Sequence, residues 1–94
     1  MFPDVPGYRV QECLHTSDPR IVYRAVDADD RPVVLKTLSP RYPLRRDVAE
    51  IRREFELMRR LRIPGVMQVE RCVEHGAGNV AIVMEPFGRS LAMV

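Results

Sequence analysis

Val33-Val34-Leu35-Lys36 decides how this chain is read. Three aliphatic residues in a row mark a buried strand, and the lysine that closes it has no obvious route to water. Eighteen residues later Glu54 lies on a segment whose apolar residues, Val48, Ile51, Phe55, Met58 and Leu61, recur at the spacing of one helical face. Glu54 is three residues after Ile51 and four before Met58, so it sits within or at the edge of that stripe. A strand lysine and a helix carboxylate that both face a core are expected to pair, because an unpaired buried charge costs several kcal/mol or more.

Outward from that strand the chain punctuates itself. Pro3, Pro6 and Gly7 make an irregular lead-in. Tyr8 to Leu14 reads as a strand, His15-Thr16-Ser17-Asp18-Pro19 as a turn, and Arg20 to Asp27 as a second strand. Ala28-Asp29-Asp30-Arg31 turns the chain again, and Val33 to Leu38 follows as the third strand of a meander. Ser39 to Pro43 breaks the pattern. Asp47 is the expected N-cap of the helix, with Glu50 completing a capping-box-like pair, and Pro64-Gly65 ends it. Val66 to Glu74 and Asn79 to Met84 form two further strands around the turn His75-Gly76-Ala77-Gly78. Ser90-Leu91 has the residues to begin another helix. The expected fold is α+β, a five-stranded antiparallel sheet with one main helix in the order β-β-β-α-β-β.

Composition narrows the classes of function. Ninety-four residues, 46% hydrophobic and 30% charged, describe one globular domain with a net charge of +2. The pairs Arg45-Arg46, Arg52-Arg53 and Arg59-Arg60 interleave with Asp47, Glu50 and Glu56. They read as a solvated helix face, not a nucleic-acid surface. No segment has the make-up of a signal peptide or a membrane span, so a cytoplasmic protein is expected. Cys13 and Cys72 lack metal-ligand spacing and read as two reduced structural thiols. His15 and His75 stand beside turn residues and read as surface loop histidines. No metal site is expected.

With that element order in place, the chain resembles the N-terminal lobe of a eukaryotic-type Ser/Thr protein kinase over residues 1–94. Val33-Val34-Leu35-Lys36 is similar to the family's V-A-I-K strand, and Arg53-Glu54-Phe55-Glu56-Leu57 to the helix segment whose glutamate holds that lysine. Ile82-Val83-Met84-Glu85-Pro86-Phe87-Gly88 resembles the strand that leads into the hinge. The resemblance implies that Lys36, positioned by Glu54, contacts ATP phosphates, and that Leu14, Val22 and Val34 enclose the adenine. It also implies that Met84 is the gatekeeper and that the backbones of Glu85 and Phe87 bond the adenine edge.

Pro6-Gly7-Tyr8-Arg9-Val10, Val22-Tyr23-Arg24-Ala25, Pro32-Val33-Val34-Leu35-Lys36 and Pro64-Gly65-Val66 look like the start of large bacterial hybrid kinases. In those proteins a kinase-like domain precedes an AAA-type ATPase region, a GAF domain and a histidine kinase. The implied context is signalling, with ATP and either a C-terminal kinase lobe or downstream domains as partners.

The departures carry information too. The three glycines of the family's G-x-G-x-x-G-x-V loop are replaced by His15, Ser17 and Arg20. Side chains there hinder close approach of backbone to phosphate. Asp18 at the loop tip repels a triphosphate, Arg20 partly offsets it, and Val34 narrows a slot where the family has alanine. The catalytic-loop and D-F-G residues that would bring Mg²⁺ have no counterpart in residues 1–94. A truncated kinase lobe, inactive in phosphotransfer alone and prone to self-association through its exposed inner face, is therefore expected. A degenerate kinase-like scaffold or regulatory module is the alternative, followed by an unrelated small α+β binding domain.

Overall fold

The computed structural model describes residues 2–39, 44–60, 68–76 and 78–85. Its elements are β1 (Arg9–Ser17), β2 (Arg20–Val26), β3 (Pro32–Leu38), α1 (Arg45–Arg60), β4 (Val69–His75) and β5 (Asn79–Met84). The strands form one antiparallel sheet in the order β1-β2-β3-β5-β4. The expected architecture is therefore the observed one. The place of β5 follows from its composition: all six of its residues are buried, so it needs neighbours on both sides. β4 carries Glu70, Arg71 and Glu74 facing water and suits the edge.

Alternation along β3 gives the sheet two different faces. Val33 and Leu35 join Val5, Tyr23, Ala25 and Val83 in one core cluster. Val34 and Leu38 join Ile51, Val80, Ile82 and Met84 in a second, under α1, where Val48, Phe55 and Met58 complete the packing. The lead-in is more than a connector. Val5 is 1% exposed, and Phe2 meets Tyr23 edge-on at 5.8 Å, so the first residues cover the sheet face opposite the helix.

Several boundaries differ from the expectation, each for a local reason. β1 runs on to Ser17, which pairs with Arg20, so the five-residue turn contracts to Asp18-Pro19. Cross-strand bonding takes up His15, Thr16 and Ser17, and the peptide between Asp18 and Pro19 is cis. The carbonyl of Pro19 accepts from the backbone N–H of Ser39 at 2.7 Å, fixing the hairpin tip to the end of β3. Asp47 is not the N-cap. The helix starts at Arg45, with Val48 N–H bonded to Leu44 O, which leaves Asp47 in the first turn where a negative charge complements the helix dipole. The Pro64-Gly65 stop, the Ser90-Leu91 start and the first residues of the fourth predicted strand lie outside the described residues.

His75 is also not a surface loop residue. It ends β4, 7% exposed, with Nε2 2.8 Å from the Thr37 hydroxyl. That hydroxyl has one proton, and Val80 O accepts it at 2.6 Å, so His75 donates from Nε2. Asn79 closes the cluster, donating to Leu38 O at 2.9 Å and accepting from Val80 N–H at 2.8 Å. Three strands are thereby tied at one end of the sheet. Burial lowers the imidazole pKa below its ordinary 6.5, and Asp4 opposes this in part.

A histidine held neutral stabilises the fold fully above its unfolded-state pKa, and that contribution fades as pH falls below it. Denaturation midpoints should fall from about pH 7.5 to about pH 5.5, and a His75→Gln variant should show a smaller fall over the same interval. Truncating Val5 to Ala should cost about 1–2.5 kcal/mol of stability, measured by chemical denaturation, if the lead-in is a true part of the core.

Candidate functional site

Lys36 stands on the helix side of β3, between Val22 on β2 and Ile82 on β5. Strand parity puts it there: Val34 and Leu38, its neighbours two residues either way, both pack beneath α1. Glu54 arrives from the inward edge of α1, one turn beyond the buried Ile51. Lys36 Nζ lies 2.9 Å from Oε1 and 2.7 Å from Oε2 of Glu54, so the pair anticipated from the sequence is formed.

A second cation shares the same carboxylate. Arg20, the first residue of β2, places its NH1 2.6 Å from Oε1 and 2.8 Å from Oε2 of Glu54. Its NH2 also lies 3.8 Å from Glu50 Oε2, one turn earlier on the helix. Each oxygen of Glu54 therefore accepts from both cations. The side chains of Arg20, Lys36 and Glu54 are 28%, 27% and 22% exposed. At that depth the charges are only partly screened. Burial pushes the Glu54 carboxyl up, but bonds and charge from Lys36, and then from Arg20, outweigh it and hold the pKa below the ordinary 4.5.

Sequence reading assigned Arg20 to offset Asp18 near phosphates and missed its bond to Glu54. The signal was present. Arg20 shares a strand face with Val22, which pairs with Lys36, so the antiparallel register puts both cations on the helix side. Reading residues 15–19 as a five-residue turn hid this, since it left the register of Arg20 open.

The remaining candidates divide. Val34 and Met84 are Cα partners across β3 and β5 and belong to the cluster under α1, with Val22 packed against them. Leu14 lies at an irregularity in β1 and is 48% exposed. Ser17 is exposed and closes the hairpin opposite Arg20. The backbone N–H of Glu85 is already engaged, donating to Gln68 O at 2.9 Å. Of the two backbone groups of Glu85, the carbonyl is the one not used in that bond. Phe87 lies outside the described residues.

Neither cysteine is in a disulfide. Cys13 is exposed on β1, its Sγ 3.8 Å from His15 O and 3.5 Å from Thr16 Oγ1, whereas Cys72 is half-buried, where desolvation raises its thiol pKa. Among the described residues no group of three His, Cys, Asp or Glu side chains is arranged to hold a metal ion. No helix among them is long and apolar enough to cross a membrane.

Because Glu54 pairs two partly buried cations, replacing it with alanine leaves two like charges facing each other. Glu54→Ala should lose about 1–3 kcal/mol of stability, more than Glu56→Ala on the exposed face, as read by denaturant titration at neutral pH. The wild-type contribution is complete above the ordinary glutamate pKa and disappears as pH falls through the lowered one. Glu54→Gln should therefore flatten the acid limb of the stability profile below about pH 4.5.

No protein-family model matches the sequence, and no curated protein matches it. Solved structures do. The kinase domain of PknI from Mycobacterium tuberculosis is 27% identical over 87% of this chain, with a TM-score of 0.64. A single mutant and a double mutant of that domain give TM-scores of 0.66 over 88% of this chain, again at 27% identity. The chain spans about a third of the length of those kinase domains, between 33% and 34%. Its five-stranded sheet and single helix have the architecture of a protein-kinase N-terminal lobe.

Proposed function

We propose that this chain is the nucleotide-binding N-terminal lobe of a Ser/Thr-kinase-like signalling domain, with ATP as its ligand. The observation that carries the reading is the bidentate contact between Lys36 and Glu54, on the strand and helix where such kinases place their phosphate clamp. The residues present fit the ligand. Val22, Val34 and Met84 line one apolar stretch beneath the hairpin, Lys36 and Arg20 supply positive charge beside it, and the Glu85 carbonyl follows Met84.

The role of the chain's own residues in this reading is binding and orientation. Lys36, steadied by Glu54, holds the α- and β-phosphates. Arg20 takes up part of the work that loop amides perform elsewhere, because the loop glycines are replaced by His15, Ser17 and Arg20 itself and Pro19 has no N–H to give. The base that accepts a substrate hydroxyl proton and the ligands for Mg²⁺ belong to the C-terminal lobe in kinases. Phosphotransfer therefore requires that lobe, and a hybrid signalling kinase is one context that provides it.

The replacement of three loop glycines by His15, Ser17 and Arg20 favours a second reading, a kinase-like scaffold that has given up nucleotide. Calorimetric titration of the protein with ATP separates the two. The first reading expects saturable binding with a Kd within roughly 1 μM–1 mM, weakened at least about tenfold by Lys36→Met. No heat up to about 5 mM ATP, with the fold intact, selects the scaffold.

A further inference from the structure

A phosphate-binding role for Lys36 and Arg20 does not account for the two bonds that hold Arg20 on Glu54. Arg20 holds both carboxylate oxygens, at 2.6 and 2.8 Å, and approaches Glu50 on the same helix. The hairpin that carries it is anchored from the other side, where Ser39 N–H bonds Pro19 O. Arg20 thus joins β2 to α1, beside the Lys36 link from β3 and apart from the exposed pair of Arg52 with Glu74 that links α1 to β4.

We propose that Arg20 is a positioning residue that latches the β1–β2 hairpin to α1 through Glu54, keeping the helix docked and its carboxylate paired when no nucleotide is bound. The kinase-like reading gives the docked helix its meaning; the latch itself belongs to the ligand-free protein. An anion that draws on Lys36 weakens the hold of that lysine on Glu54, and Arg20 then retains it. Guanidinium suits the task because it stays charged throughout the working pH range and offers several donors.

The electrostatics predict a specific pattern. Removing either cation leaves Glu54 paired and also relieves repulsion between Arg20 and Lys36. Removing both forfeits two attractions but relieves that repulsion once. The double loss must therefore exceed the sum of the single losses.

The test uses Arg20→Gln, Lys36→Met, the double variant, Arg20→Lys as the conservative change, and Arg24→Gln as control. Arg24 shares the strand and the face of Arg20 but is exposed and pairs with Glu12 on β1, away from Glu54. Each single variant should lower the folding equilibrium constant less than about tenfold, and the double more than about a hundredfold. By NMR, Arg20→Gln should raise the Glu54 carboxyl titration midpoint and speed amide exchange in α1 without nucleotide. Arg20→Lys should largely restore both, and Arg24→Gln should change neither. Additive losses, or an unchanged Glu54 titration and helix exchange in Arg20→Gln, overturn the latch. Should the double variant fail to fold, the titration and exchange of the single variants decide. None of these measurements contains nucleotide, so a protein that does not bind ATP can still show the latch. One that binds ATP normally can still lack it.

Discussion

Glu54 is the group on which the rest of the structure depends. Its carboxylate lies between α1 and the sheet, where one negative charge answers two positive ones from different strands. Apolar packing by Ile51, Phe55 and Met58 brings the helix to the sheet, but packing is non-directional and tolerates rotation. The ion pairs do not. A carboxylate with each oxygen accepting from both Lys36 and Arg20 fixes helix register, the end of β2 and the middle of β3 together.

That arrangement requires a sheet with two unlike faces. One is covered by α1 and carries the charged cluster at its margin. The other is covered by the first few residues, with Val5 buried and Phe2 against Tyr23. β5 runs between β3 and β4 because only a central position buries all six of its residues. The Thr37, His75 and Asn79 cluster then locks β3, β4 and β5 at one end without leaving a described buried polar side-chain atom unbonded. The clamp rests on a frame fixed from both faces.

The β1–β2 hairpin differs from a glycine loop in its residues: His15, Ser17 and Arg20 stand where glycines would let backbone amides approach an anion. Strand pairing runs as far as Ser17 and Arg20. The pairing directs Arg20 inward. What stands there is two side-chain cations sharing one carboxylate.

Much of this was legible in the residues. The aliphatic run ending in Lys36, the helical stripe with Glu54 at its edge, and the apolar run at residues 80–84 of β5 are local patterns that survive folding, so the sequence alone determined the α+β order and the pairing of Lys36 with Glu54. The burial of Val5 and His75, the late start assigned to the helix at Asp47, and the partnership of Arg20 with Glu54 were not legible. Each depends on something remote in sequence: a sheet face that needed cover, a hydroxyl on another strand, a helix start at Arg45 with Leu44 O accepting from Val48, a hairpin register set by bonding through Ser17. Local pattern fixes which side of an element faces inward. Only the assembled sheet decides what waits there, because the partner of a buried polar group is chosen by three-dimensional proximity and not by spacing along the chain.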